Sequence, residues 1–522
     1  MAQPELSRRR LGRLAAGALA ATATAAVPGS SALAAPLSLA SSEQAPSTDP
    51  NAPLAQLRAI WIASVVNIDW PSKTGLSAAQ QQQELIAWFD LANRLNMNAV
   101  MLQVRPTADA FWPSRYEPWS QYLTGTQGVD PGYDPLEFAV TEAHKRNLAL
   151  HAWFNPYRVS MQTDPTQLVD WHPARLHPDW VFAYGPKLYY NPGIPEVRRF
   201  VEDAICDALR YDIDGIHFDD YFYPYPVAGQ TLPDADTFAT YGAGFTDIGD
   251  WRRHNINLLI SEMYHRIHAV KPHVVFGVSP FGIWRNATSD PAGSDTAGTE
   301  SYNANYADTR LWVGKRWLDY INPQVYWNIG LAVADYAKLV PWWAQQVDGT
   351  GVQLYVGEAA YKVGTSGAWL DATELSRHLA LDQQYPQVDG NVYFSATEVR
   401  ADPLGAISEL VDTYYAHPAL TPPMPRLDPR VPQRPVITSV RGGRITWTAT
   451  GPVPPTEYAI FRFDAEPSEA DFGDATHLIA TVRATGRHQW YTDSTAVVGT
   501  DYWYAVMAVS RTSMRSAPDT AR

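Results

Sequence analysis

From residue 57 onward, short apolar runs alternate with longer stretches in which apolar positions recur every three or four residues. The first run is 59–65 (A-I-W-I-A-S-V). Residues 78–96 follow it, with Leu85, Ile86, Trp88, Phe89, Ala92 and Leu95 at helical spacing. Further short runs stand at 99–105, 149–155, 215–221, 274–280, 320–327, 353–358 and 390–396. Helical patterns fill 131–147, 195–210, 251–270, 307–318, 334–346, 372–384 and 402–415. A strand followed by a helix, eight times over, predicts an α/β fold of the TIM (β/α)8 barrel kind across 57–418. That span exceeds the roughly 250 residues of an ordinary barrel, so the catalytic-face loops are expected to be enlarged. The surplus falls after the second to fifth runs. An open doubly wound sheet is the competing fold, and it lacks its Gly-rich phosphate turn after the first run.

The pattern changes twice outside the barrel. Residues 419–435 form a stiff linker rich in proline (Pro422, Pro423, Pro425, Pro429, Pro432 and Pro435). Beyond it, 436–522 contains short alternating strands with no helical stretch, which predicts a small C-terminal all-β sandwich. At the other end, Arg8, Arg9 and Arg10 precede an Ala-rich apolar segment, and Ala32-Leu33-Ala34 offers a small-residue cleavage site. This is the layout of a signal peptide over 1–35, and Ser7-Arg8-Arg9-Arg10-Leu11 resembles a twin-arginine signal. Residues 36–56 read as a disordered lead-in. The mature protein is expected to be secreted or wall-associated, with no membrane-spanning stretch.

Composition narrows the partners. Net charge is −14, which argues against nucleic acid or an anionic membrane. Aromatic residues make up 12% of the chain, an excess that suits stacking on sugar faces as well as a large core. The one cysteine, Cys206, excludes an intramolecular disulfide and a cysteine-built zinc site.

Strand alternation then separates the two faces of the barrel wall. It sends Val100, Leu102, Val104, Leu150, Ala152, Phe154, Ile216, Phe218, Ile321, Pro323 and Val325 outward. It sends Met101, Gln103, Arg105, His151, Trp153, Asn155, His217, Asp219, Tyr221, Asn322, Gln324 and Tyr326 inward. A purely structural barrel interior would be branched aliphatic there, so polar residues near the strand ends mark an active site. Asp219 is the leading carboxylate, with Arg105 and Asn155 expected to hold it charged. Asp220 and Glu358 are the candidate acids, because glycoside hydrolysis needs two carboxyl groups about one bond. Arg105, Trp153, Asn155, Arg158, Tyr221, Tyr223, Trp284, Arg285, Gln324, Tyr326 and Trp327 are the expected substrate contacts. His151 and His217 read as hydrogen-bonded structural histidines, and no metal or other cofactor is expected.

Several segments resemble a known family. They are Arg58-Ala59-Ile60-Trp61-Ile62, Gln103-Val104-Arg105-Pro106, Trp153-Phe154-Asn155-Pro156-Tyr157-Arg158, Asn191-Pro192-Gly193-Ile194-Pro195, the run from Asp214 to Pro224, Gly277-Val278-Ser279-Pro280-Phe281-Gly282-Ile283-Trp284-Arg285, and Asn322-Pro323-Gln324-Val325-Tyr326-Trp327. Together they look like glycosyl-hydrolase-like family 10, which includes exported bacterial enzymes that cleave peptide-free glycan strands of peptidoglycan. The resemblance implies a TIM barrel and a hydrolase of a cell-wall or related N-acetylated polysaccharide. Tyr458-Ala459-Ile460-Phe461-Arg462 and Tyr502-Trp503-Tyr504-Ala505-Val506 resemble fibronectin type III strands. The fourth run also resembles a chitinase-type strand, but His217 and Tyr221 replace its second Asp and its terminal Glu. With an N-acetylated substrate, Asp219 could instead orient the acetamido group in substrate-assisted catalysis. A non-catalytic glycan-binding wall protein and a metal-dependent carbohydrate deacetylase are the alternatives.

Overall fold

The computed structural model describes residues 51–522. Eight parallel strands close into a barrel: β1 (Leu57–Ile62), β2 (Ala99–Arg105), β3 (Ala149–Phe154), β4 (Gly215–Phe218), β5 (Val275–Val278), β6 (Tyr320–Ile321), β7 (Gln353–Glu358) and β8 (Val388–Tyr393). The connecting helices are α1 (Ala78–Arg94), α2 (Pro135–Lys145), α3 (Pro195–Cys206), α4 (Ile248–Val270), α5 (Thr309–Lys315), α6 (Tyr336–Val347), α7 (Glu374–Asp382) and α8 (Ala406–Tyr414). Local chemistry starts several of them. Ser77 and Gln80 form a reciprocal capping box at α1, and Asp134 caps α2 with Pro135 in the first turn.

Two of the predicted strands end early, for physical reasons. The fourth run stops at Phe218, because Asp219 Oδ1 accepts the Tyr221 N–H and the Asp220 carbonyl accepts the Phe222 N–H. The chain therefore turns at the carboxylates instead of continuing the ladder. The sixth run keeps only Tyr320–Ile321, since Pro323 has no N–H to donate.

Alternation sorts the wall as expected. Val100, Leu102, Val104, Leu150, Ala152, Phe154, Ile216, Phe218, Ile321 and Val325 pack outward into the helix layer. Met101, Trp153, Tyr320 and Tyr355 pack inside the barrel. Gly277 on β5 makes room for this interior: a Cβ there would lie 2.1 Å from the Tyr320 ring.

The C-terminal region forms two facing antiparallel sheets. One pairs Val436–Arg441, Arg444–Thr448 and His488–Thr492. The other pairs Leu478–Arg483, Glu457–Phe463, Trp503–Val509 and Asp519–Ala521. Ile445 and Trp447 of the first sheet pack on Tyr458, Ile460, Tyr504 and Val506 of the second. The sandwich covers the N-terminal pole of the barrel. Arg511 binds Asp212 and Asp214 just before β4, both at 3.0 Å, and Asn147 before β3 donates to Glu457.

One expectation is corrected here. The end of the 36–56 lead-in is ordered. Ala52 and Leu54 are buried with Leu420 against Phe461, Phe463 and Met507 of the sandwich. Backbone hydrogen bonds of 2.9 Å join Leu420 to Leu54 and Gln56. Apolar side chains at 52 and 54 had a sheet face to cover, and the polar composition upstream hid them. The expected signal peptide and the rest of the lead-in lie outside the described residues. Among the described residues, no helix is long and apolar enough to cross a membrane.

Candidate active site

The floor of the C-terminal mouth is a hydrogen-bonded relay of neutral rings. The Trp61 indole donates to His217 Nε2 at 3.0 Å, which places the His217 proton on Nδ1. That N–H points at the Tyr320 hydroxyl 2.9 Å away, and the Tyr320 O–H is left to donate to His151 Nδ1 at 3.0 Å. Burial pushes both histidines down, His151 to about 4. Each ring is thereby committed to its neighbours. Among the described residues, no group of three or more His, Cys, Asp or Glu is arranged to hold a metal ion.

Above this floor stand Asp219 and Asp220, only 5% and 6% exposed. They are held from different sides. Asp219 accepts from Asn155 Nδ2 at 2.9 Å, from the Trp153 indole at 3.1 Å and from the Tyr221 N–H at 3.2 Å. Asp220 accepts from Gln324 Nε2 at 3.0 Å and from the Tyr225 hydroxyl. Gln324 is in turn fixed by the Ser279 carbonyl at 3.0 Å. The close approach of β7 to this loop needs Gly357, whose Cβ would meet the Pro323 carbonyl at 3.0 Å and Gln324 Cα at 3.2 Å. Burial is the main force raising both carboxyls. The Asp220 charge adds to it at Asp219, which rises from 3.8 to about 6.

The rim is aromatic. Tyr221, Tyr225, Phe281 and Trp327 form an arc, with successive ring centroids 5.6, 6.1 and 5.3 Å apart. Tyr326, Tyr361 and Phe394 form a second group, Tyr326 lying 5.8 Å from Tyr361 and 6.3 Å from Phe394. All seven are half-buried, and aromatic rings around a mouth suit contact with the apolar faces of sugars.

The structure brings together Asp219, Asp220, Trp153, Asn155, Arg158, Tyr221, Gln324, Tyr326 and Trp327. It turns the other expected site residues elsewhere. Arg105 is fully buried, but its carboxylate partner is Glu117, with Nη2 2.6 Å from Oε1; it also donates to the Asn155 and Pro156 carbonyls. It therefore braces the β3 loop and does not touch Asp219. Glu358 faces outward with Leu354 and Val356. It accepts from the Tyr336 hydroxyl at 2.7 Å and meets His378 Nδ1 at 2.8 Å beneath α6 and α7. This position cannot deliver a proton to the mouth. Tyr223 is fully buried against Tyr306 in the helix layer. Trp284 stacks on Trp342 and donates to Asp308. Arg285 is tied to Asp290 of its own loop at 2.6 Å.

Two residues outside the expected site set belong here. Tyr225 anchors Asp220. Lys187 reaches in from a three-stranded sheet built of Arg158–Ser160, Val181–Tyr184 and Lys187–Tyr190, inserted between β3 and α3. Alternation around Gly185-Pro186 (V-F-A-Y-G-P-K-L-Y-Y) is the sequence signal for this hairpin. Lys187 Nζ lies 5.6 Å from the Tyr221 ring centroid, and the Arg158 guanidinium lies 5.2 Å from the same centroid.

The family model for glycosyl hydrolase-like 10 matches residues 56–372. Glycosyl hydrolase YngK of Bacillus subtilis (strain 168) is 47% identical over 470 residues, covering 87% of this chain and 91% of the relative. Glycosyl hydrolase DigH of Escherichia coli (strain K12) is 42% identical over 362 residues, covering 65% of this chain and 82% of the relative. Among solved structures, the PgaB glycoside hydrolase domain of Bordetella bronchiseptica superposes with a TM-score of 0.46 at 14% identity, covering 69% of this chain and 99% of that one. With its closed barrel and this match across most of the barrel, the chain belongs to glycosyl hydrolase-like family 10 and is a glycoside hydrolase.

Proposed function

We propose that the protein is an exported hydrolase of a bacterial cell-wall or related N-acetylated glycan, with Asp219 and Asp220 as its acid/base machinery. The observation that carries this reading is the buried adjacent pair, each member held by its own donors at the centre of an aromatic mouth. The family relationship supports the reaction class, and the signal-like N-terminus supports export.

The arrangement favours substrate assistance. Glu358, the expected distant partner, faces the helix layer. Asp69 is enclosed by the Ala63 and Thr397 N–H groups and the Ser395 hydroxyl. That leaves adjacent carboxyls, which suit one proton donor and one orienting group. In this reading Asp220 protonates the glycosidic oxygen. The substrate's acetamido oxygen attacks the anomeric carbon and displaces the leaving sugar. Asp219 accepts the acetamido N–H and balances the charge of the cyclic intermediate. Water then opens that intermediate, giving its proton to Asp220.

The test is incubation of the purified protein with peptide-stripped glycan strands and measurement of new reducing ends. Wild type should release them, and Asp219→Asn and Asp220→Asn should each lose at least about a hundredfold. Absence of release from every amino-sugar polymer would sink the hydrolase reading. Full activity in either variant would sink the site.

A further inference from the structure

Arg158 and Lys187 hold donors that the protein leaves unused. Arg158 spends Nε on the Pro106 carbonyl at 3.0 Å and is 4% exposed, yet among the described residues it forms no ion pair and its terminal nitrogens find no acceptor. Lys187 is half-buried, and among the described residues its ammonium forms neither a hydrogen bond nor an ion pair. Both cations lie against the Tyr221 ring, 5.2 and 5.6 Å from its centroid, within electrostatic reach of Asp219 and Asp220 but not in contact with them. Leaving charged donors without acceptors in a partly dry cleft is costly. The backbone that carries Lys187 is held in place. Its hairpin is fastened to the loop after the carboxylates: the Tyr184 hydroxyl accepts the Val227 N–H at 2.9 Å, and the Gly185 N–H donates to Gln230 Oε1 at 2.9 Å.

We propose that Lys187, with Arg158, forms a subsite for an anionic substituent of the glycan, namely a carboxylate carried on a sugar close to the scissile bond. This rests on the wall-glycan reading, in which the lactyl ether of N-acetylmuramic acid supplies that carboxylate. The Arg158 fork and the Lys187 ammonium would each donate to it, and the Tyr221 ring beside them would meet the sugar's apolar face. The subsite makes the free carboxylate a recognition element: a strand whose carboxyl is capped as an amide presents no charge there.

Binding tests this without catalysis. N-acetylmuramic acid and its lactyl methylamide have nearly the same shape and no bond to cleave. Their affinities for the full chain can be read by NMR titration. Hydrogen bonds to a charged group are worth about 1.5–3 kcal/mol, so the free acid should bind roughly tenfold to a hundredfold more tightly than the amide. Lys187→Met should remove most of that preference, Lys187→Arg should keep most of it, and added salt should weaken it. Equal binding of acid and amide by the wild type would overturn the subsite, whatever the activity assay gives. Equal losses for both ligands in Lys187→Met would also overturn it, and would mark Lys187 as a prop for the carboxylate pair. Failure of the glycosidase reading shows separately, as absence of new reducing ends.

Discussion

Asp219→Asn should make the protein less active and more stable, and the gain should depend on pH in a defined way. Burial and the neighbouring Asp220 charge raise Asp219 from 3.8 to about 6 in the folded state. The folded protein therefore binds a proton that the unfolded chain has released between those two values. Within that window stability falls as pH rises, and above it the penalty is constant. A shift of about 2 units corresponds to roughly 3 kcal/mol. Asparagine cannot ionise, so the variant escapes the penalty. Urea unfolding at several pH values measures it. Near pH 4 the variant and the wild type should be about equally stable, apart from a small offset from altered hydrogen bonds. From pH 4 to 6 the variant should gain, and above pH 6.5 the difference should level off at about 2–3 kcal/mol. A difference that stays flat from pH 4 to 8 would refute the reasoning, because the charge would then not be disfavoured by its site.

Three further perturbations separate the roles assigned above. Tyr225→Phe removes a hydroxyl that stabilises the Asp220 anion, so it should move the alkaline limb of the kcat/KM profile upward by about 1–2 units; movement of the acidic limb instead would make Asp220 the base. Glu358→Gln should cost about 3–5 kcal/mol by leaving buried His378 without its main partner, while kcat of the folded fraction stays within a few-fold. His378 is raised to about 9, so the stability this pair contributes is complete below pH 6.5 and fades as pH climbs through 9; thermal melts of both proteins across that range should converge at the alkaline end. Arg511→Ala should destabilise the chain by about 2–3 kcal/mol, since Asp214 loses the cation that holds its carboxyl well below the usual range, and calorimetry should show the full loss above pH 4 and a loss that shrinks gradually as pH falls below it.

The barrel was legible because its signal is redundant. Eight runs each bury one face, and Ile216 and Phe218 could hardly point inward without breaking the helix layer. Asp219 was legible for the same reason, since it follows His217 by one alternation. Legibility stopped where chain direction was set by a partner far away in sequence. Arg105 ends β2 in the expected position, but Glu117, twelve residues on, captures it. Glu358 shares the outward parity of Leu354 and Val356, and only α7, which brings His378, explains a carboxylate there. Tyr223 and Trp284 follow strand ends as rim residues should, yet their loops fold back into the helix layer. Lys187 was missed because its hairpin lies inside a stretch whose periodicity is too short to stand apart from a loop.

The short segment that carries Ala52 and Leu54 has a practical meaning for how the molecule faces its surroundings. It leaves the fold beside the sandwich, and the sandwich covers the pole opposite Asp219 and Asp220. The final strand, Asp519–Ala521, belongs to the same sandwich. Whatever is joined to either end of residues 51–522, whether an affinity tag, a surface linkage or a bead, holds the enzyme by its back. The mouth then points away from the attachment, open to a carbohydrate substrate.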